Sequence, residues 1–295
     1  MALPIGPVRD HLAGSFRRML SGGRAEPQPL DAWVQDRGDP GLFGPDSPAW
    51  RVQGQLATLV GGLRALMLQT LHPLAMAGVA QHSAFRQDPF GRLQRTGGFI
   101  ASTVFGTTAD AERAIATVRR VHDRVQGVAS DGRPYSANDP HLLTFVHVTE
   151  VDSFLVAHQT LTNDHLGRAE ADRYVADMAE VCRRLGGEDV PTDVVGLRRW
   201  LEDVRPELAM TAEARSAVWF LLNPPLPLYA RPAYGVFASA SVGLLPGWAQ
   251  RMLWLPSVPP VDRLAIRPAT RTMLAVLSWA VGGSPHRDAA RRRTS

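Results

Sequence analysis

Apolar residues recur at helical spacing along most of the chain, and strict apolar–polar alternation is scarce, so the pattern predicts helices almost throughout. Ser47-Pro48 supplies a capping residue with proline at the first helical position. From there Leu56, Leu59, Val60, Leu63, Leu66, Met67 and Leu71 predict one long core helix. Pro73 ends or kinks it, and the pattern resumes through Leu74, Val79 and Ala80. Asp88-Pro89 repeats the cap-plus-proline start for a helix to about Phe105, before Gly106. Thr107 or Thr108 caps the next, whose apolar face is Ile115, Val118, His122 and Val125, with Gly127 as stop signal.

Residues 127 to 138 read as a loop or short hairpin turning at Asp131-Gly132. Asp139-Pro140 opens a helix carrying Leu142, Phe145, Val146, Thr149, Asp152, Leu155 and Val156 on its apolar side. A charged, amphipathic helix over about 169–185 follows, stopped by Gly186-Gly187. Thr192 caps a helix to about Val204 and Thr211 one to Leu222, and Asn223 to Pro227 breaks the pattern. Two or more apolar helices complete the chain, the last ending near Ala280. The expected fold is all-α, one domain of about ten helices over residues 47–282. An arm and loop precede it over 1–46, and a disordered basic tail follows over 283–295.

At 295 residues and 45% hydrophobic content the chain can bury a sizeable core. The net charge of +4 and pI near 9.9 come entirely from arginine, since there is no lysine. Those arginines are interleaved with acidic residues, which argues against a nucleic-acid partner. A single cysteine, Cys182, excludes an intrachain disulfide and a multi-cysteine zinc site. No signal-peptide core stands at the start, and the most apolar later stretch, Tyr234 to Leu245, is too short to span a bilayer. A cytoplasmic protein is expected, with peripheral membrane contact left open.

Phosphate loops, Rossmann fingerprints, nucleophile elbows and the His-Glu-x-x-His zinc motif are all missing, which removes the commonest nucleotide and hydrolase readings. His141, His147, His158 and His165 have no carboxylate four residues away and read as ordinary helix histidines rather than a metal site. His122 stands out. It lies on an apolar face three residues after Arg119, and Arg92, Arg95 and Thr96 lie on the preceding helix. Buried cations with few acidic neighbours in sequence point to an anionic ligand. Haem fits, because its iron takes a neutral imidazole and its propionates take arginine, although the spacing equally describes any carboxylate ligand.

His72-Pro73, His82-Ser83, Asp88-Pro89, Arg92-x-x-x-Thr96, Arg119-x-x-His122, Tyr135-Ser136-Ala137 and Asp139-Pro140 together carry a resemblance. Over roughly residues 48 to 280 the chain resembles the family of domain of unknown function 2236, which includes the rubber-cleaving oxygenase and the fungal oxygenase of mycophenolic acid biosynthesis. The resemblance implies an all-α fold with one b-type haem, held by His122 as iron ligand. It implies Arg92 and Thr96 in the haem pocket and Arg119 as a nearby charge partner. Arg95 falls where the rubber enzyme has a lysine able to cover the iron, which arginine cannot do because it stays protonated. That enzyme also has a distal glutamate, whereas no glutamate occurs here between Trp50 and Ala111. His72 or His82 is then left to supply distal chemistry, with Asp152 as a second-layer acceptor. The expected activity is a haem-dependent oxygenase acting with dioxygen on a small apolar or isoprenoid-like substrate. A non-enzymatic haem or lipid carrier on the same scaffold is the alternative.

Overall fold

The computed structural model describes residues 5–21, 37–255 and 258–295. It is all-α apart from one hairpin. In chain order the first helices are α1 (Ile5–Ser21), α2 (Pro48–Gln53), α3 (Ala57–Thr70), α4 (Pro73–His82), α5 (Pro89–Phe105) and α6 (Thr108–His122). Strands β1 (Gln126–Val128) and β2 (Pro134–Ser136) pair antiparallel, with Gly127 opposite Tyr135. Then come α7 (Pro140–Leu161), α8 (Arg168–Leu185), α9 (Val194–Asp203), α10 (Ala212–Leu222) and α11 (Arg231–Gly243). The chain closes with α12 (Gly247–Met252), α13 (Pro259–Val261), a π-helical turn (Asp262–Ile266), α14 (Arg267–Val281) and α15 (Pro285–Thr294). Short 3-10 turns lie at Arg205–Glu207 and Leu228–Ala230.

The caps form as the sequence predicts. The side chains of Ser47, Asp88, Asp139 and Thr211 each accept a backbone N–H of the first turn they precede, and proline occupies the first turn in three of the four cases. Gly186 takes the left-handed conformation that closes α8. One cap is displaced by a residue: Asp193, not Thr192, accepts from Gly196 N, at 2.8 Å. The long helix expected from Ser47 to Leu71 is two helices, parted at residues 54–56. Its two parts fall in different compact units, of residues 1–56, 84–115 and 272–295, and of residues 57–83 and 116–271.

The first unit is built on α5, which meets α1, α2 and α15. Trp50 of α2 stands edge-on to Phe105 at 5.5 Å and donates its indole N–H to the Phe43 carbonyl. The basic tail expected to be disordered is instead helix α15, capped by Ser284. Its Arg293 is 1% exposed, and donates to the carbonyls of Asp39 (2.8 Å) and Gly106 (3.1 Å). Carbonyl acceptors let a guanidinium be buried where composition alone suggests a solvated terminus. The expected N-terminal arm likewise begins as helix α1, while most of the Gly- and Pro-rich run 21–46 lies outside the described residues.

In the second unit α7 runs against α3, and α8 and α9 cover other faces of α7. α7 is therefore buried on several sides and shows no single apolar stripe. Gly61 permits the α3–α7 approach: a Cβ there would stand 2.9 Å from the Ser153 carbonyl oxygen. Met67, Leu68, Leu71, Phe145, Val204 and Leu208 share one hydrophobic core cluster. The hairpin packs on α4, where Ala77 and Tyr135 share a smaller apolar cluster.

Candidate functional site

The residues the sequence singles out divide between the two units. Arg92, Arg95 and Thr96 ride on α5 of the first, while His82, Arg119, His122 and Asp152 belong to the second. On α5, Asp88 accepts from Gly91 N at 2.9 Å and its other oxygen stands 3.6 Å from the Arg95 guanidinium. Arg92 is half-buried, and Arg95 and Thr96 are exposed. The buried cluster of cations expected from spacing is thus not what α5 presents.

His122 ends α6 and is half-buried, with its Nδ1 enclosed and lacking a hydrogen-bond partner. Burial pushes its pKa down, against smaller upward effects of Asp123 and a hydrogen bond to the Ala137 backbone. A neutral ring follows at pH 7, carrying a lone pair, as an iron ligand requires. Arg119 is exposed and donates to the Arg184 carbonyl at 3.3 Å, so its guanidinium links α6 to the end of α8.

Asp152 is already partnered. Its carboxylate meets Arg64 of α3 at 2.7 Å, and Arg64 also donates to Ser153 Oγ (2.6 Å) and the Leu244 carbonyl (2.8 Å). Sequence reading missed Arg64, whose signal was a lone cation within the apolar run of α3. An acceptor committed this closely to a buried guanidinium acts through that guanidinium and is not a free contact for a ligand.

His82, at the end of α4, joins a chain of hydrogen bonds whose direction can be worked out. Gln81 Nε2 donates to the Val128 carbonyl at 3.0 Å, which fixes the amide so that its Oε1 accepts from the Tyr135 hydroxyl at 2.7 Å. The tyrosine proton is thereby used, and its oxygen is left to accept from His82 Nε2 at 3.1 Å. When His82 is neutral, Nδ1 then holds the lone pair, at a ring exposed to solvent. Tyr135 itself is buried, which raises its pKa and keeps the phenol protonated.

A cleft of about 470 Å³ opens in the second unit, lined mainly by apolar residues including Leu222, Ala238, Val242, Val261 and Ile266. None of the residues picked from the sequence lines it. Among the described residues no helix is long and apolar enough to cross a membrane.

Comparison with known proteins adds one finding. A family model described as ER-bound oxygenase mpaB/B'/Rubber oxygenase, catalytic domain, matches residues 50–280. No curated protein and no solved structure matches the chain.

Proposed function

This chain belongs to the mpaB and rubber-oxygenase catalytic-domain family, and on that premise we propose that it is a haem b-dependent oxygenase acting with dioxygen on a small apolar or isoprenoid-like substrate. The observation that carries the haem assignment is His122: a neutral imidazole, with an enclosed ring nitrogen lacking any hydrogen-bond partner, inside the matched segment. Haem bound there would supply a redox-active iron for dioxygen chemistry.

The chain's own residues then have defined tasks. His122 would offer the iron its lone pair. Arg119, in the same unit as His122, would offer fixed positive charge to a propionate, while the pocket roles of Arg92 and Thr96 rest on the family resemblance alone. Arg95 adds charge without competing for iron, because it does not lose its proton. His82 Nδ1, in a stretch without glutamate, would serve as a proton acceptor, with Tyr135 holding its ring in the required tautomer. Asp152 contributes by holding Arg64 at the α3–α7 seam.

The decisive test is full-length protein expressed with haem supply. A Soret band at one haem per chain and oxygen uptake in the presence of an alkene are expected. Failure to retain stoichiometric haem overturns the assignment, and a Soret band without oxygen uptake leaves a carrier.

A further inference from the structure

Three residues far apart in sequence, and outside the site described above, converge on one point of the second unit. They are His72, His141 and Glu207, whose ligand atoms all lie within 4.8 Å of one another. His141 Nε2 is 2.9 Å from Glu207 Oε2, and His72 Nε2 is 3.4 Å from the same oxygen. Ligand atoms at the corners of a zinc tetrahedron, with bonds of about 2.0–2.2 Å, stand roughly 3.3–3.6 Å apart. The cluster therefore needs only small side-chain shifts to take a cation.

His72 is the second observation. Its side chain is 1% exposed, and both ring nitrogens are enclosed without a hydrogen-bond partner. Its approach to Glu207 is near enough for charge interaction but lacks hydrogen-bond geometry. Leaving a buried imidazole in this state is unfavourable, and a cation at Nε2 would offset part of that cost. Burial also lowers its pKa more than Glu207 raises it, so the ring is neutral at pH 7.

The scaffold holds all three in place. His72 is the N-cap residue of α4, ahead of Pro73. His141 lies in the first turn of α7, where Asp139 fixes its backbone N–H at 2.9 Å. Glu207 ends the 3-10 turn between core residues Val204 and Leu208, and Ala209 N donates to the Leu71 carbonyl at 2.8 Å, tying that turn to the His72 segment. Phe145 stands 4.9 Å from the His72 ring and Trp200 5.3 Å from the His141 ring, giving both imidazoles an aromatic wall. Arg133 lies within electrostatic reach of Glu207, but its guanidinium is bound to Asp131 at 2.7 and 2.9 Å.

We propose that His72, His141 and Glu207 form a divalent transition-metal site, with zinc as the fitting ion. Two imidazoles and a carboxylate are the donor set of three-ligand zinc sites, in which water takes the fourth position. The side chains of His141 and Glu207 are 49% and 42% exposed, so that position faces solvent. The metal clips the starts of α4 and α7 to the Arg205–Glu207 turn. This site shares no residue with the haem assignment proposed above, which gives the proton-acceptor role to His82 and leaves His72 to the metal.

The test uses the full chain, haem-free by its absorption spectrum and stripped with a chelator, then titrated with zinc chloride against a chromophoric competitor. One tight equivalent is expected, with a raised melting temperature and X-ray absorption showing two imidazole ligands. Glu207→Gln and His141→Ala, both at partly exposed positions, should keep the wild-type circular dichroism. They should weaken binding by more than about 100-fold, beyond the range of outer-shell substitutions. His165→Ala, on the exposed surface, should change nothing. Equal zinc affinity in wild type and Glu207→Gln, or no saturable equivalent, overturns the site while leaving the haem assignment untouched.

Discussion

The guanidinium of Arg64 and the carboxylate of Asp152 meet at 2.7 Å between α3 and α7, with side-chain exposures of 4% and 9%. Ser153 Oγ and the Leu244 carbonyl take two further guanidinium donors, so the cation is well satisfied where Gly61 brings the helices close. Removing one partner leaves an uncompensated buried charge, which typically costs about 3–5 kcal/mol. Arg64→Met and Asp152→Asn are each expected to lower stability on that scale in denaturant melts, with strong coupling in the double mutant. The loss should be the same with and without haem. A loss seen only in haem-loaded protein would return Asp152 to the cofactor.

His122→Ala should abolish haem retention and leave the fold intact. The residue is half-buried at a helix end, where truncation typically costs about 0.5–3 kcal/mol. Parallel absorption and far-UV circular dichroism spectra check both halves of this expectation. An unchanged Soret band would move the ligand to another histidine.

Arg92 separates a cofactor pocket from a structural cation. If it binds haem, Arg92→Ala lowers the melting temperature of loaded protein and barely moves the haem-free form, because a ligand stabilises only the state that binds it. Thr96→Val, at an exposed position, should follow the same pattern more weakly. Equal shifts in both forms would remove Arg92 from the pocket.

His147 gives the protein an acid limit. Its ring is buried on α7, Nε2 has no hydrogen-bond partner, and burial, with Arg183 adding to it, pushes its pKa down to about 3. The unfolded chain therefore takes up this proton near pH 6.5 while the folded chain refuses it. Stability is complete above about pH 6.5 and falls by up to about 1.4 kcal/mol per pH unit below it, towards pH 3. His147→Gln should flatten that limb in urea melts at stepped pH; an unchanged slope would assign the acid sensitivity elsewhere.

Tyr135→Phe removes the oxygen that accepts from His82. Nitrogen-15 NMR of the histidine rings should show His82 as the Nε2–H tautomer in wild type and as a mixture in the variant. The reverse tautomer in wild type would contradict the proton-acceptor role of His82 Nδ1.

Much of the fold is legible along the chain because its signals are local. Ser47, Asp88, Asp139 and Thr211 cap helices through oxygens that reach only a few residues ahead, and helical periodicity marks the apolar faces that follow. The hairpin around Asp131-Gly132 and the Gly186 stop are equally local. His122 was also visible, as a polar residue on an apolar face.

What the sequence by itself determined, then, was the all-α class, most helix boundaries and the family to which the chain belongs. Tertiary structure alone decided which polar groups meet. Arg293 is buried by the carbonyls of Asp39 and Gly106, Asp152 is claimed by Arg64, and His72 faces His141 and Glu207. Each pairing closes a long loop, and its partners lie on elements that only packing brings together. Helical spacing reveals neighbours one turn apart and cannot report them.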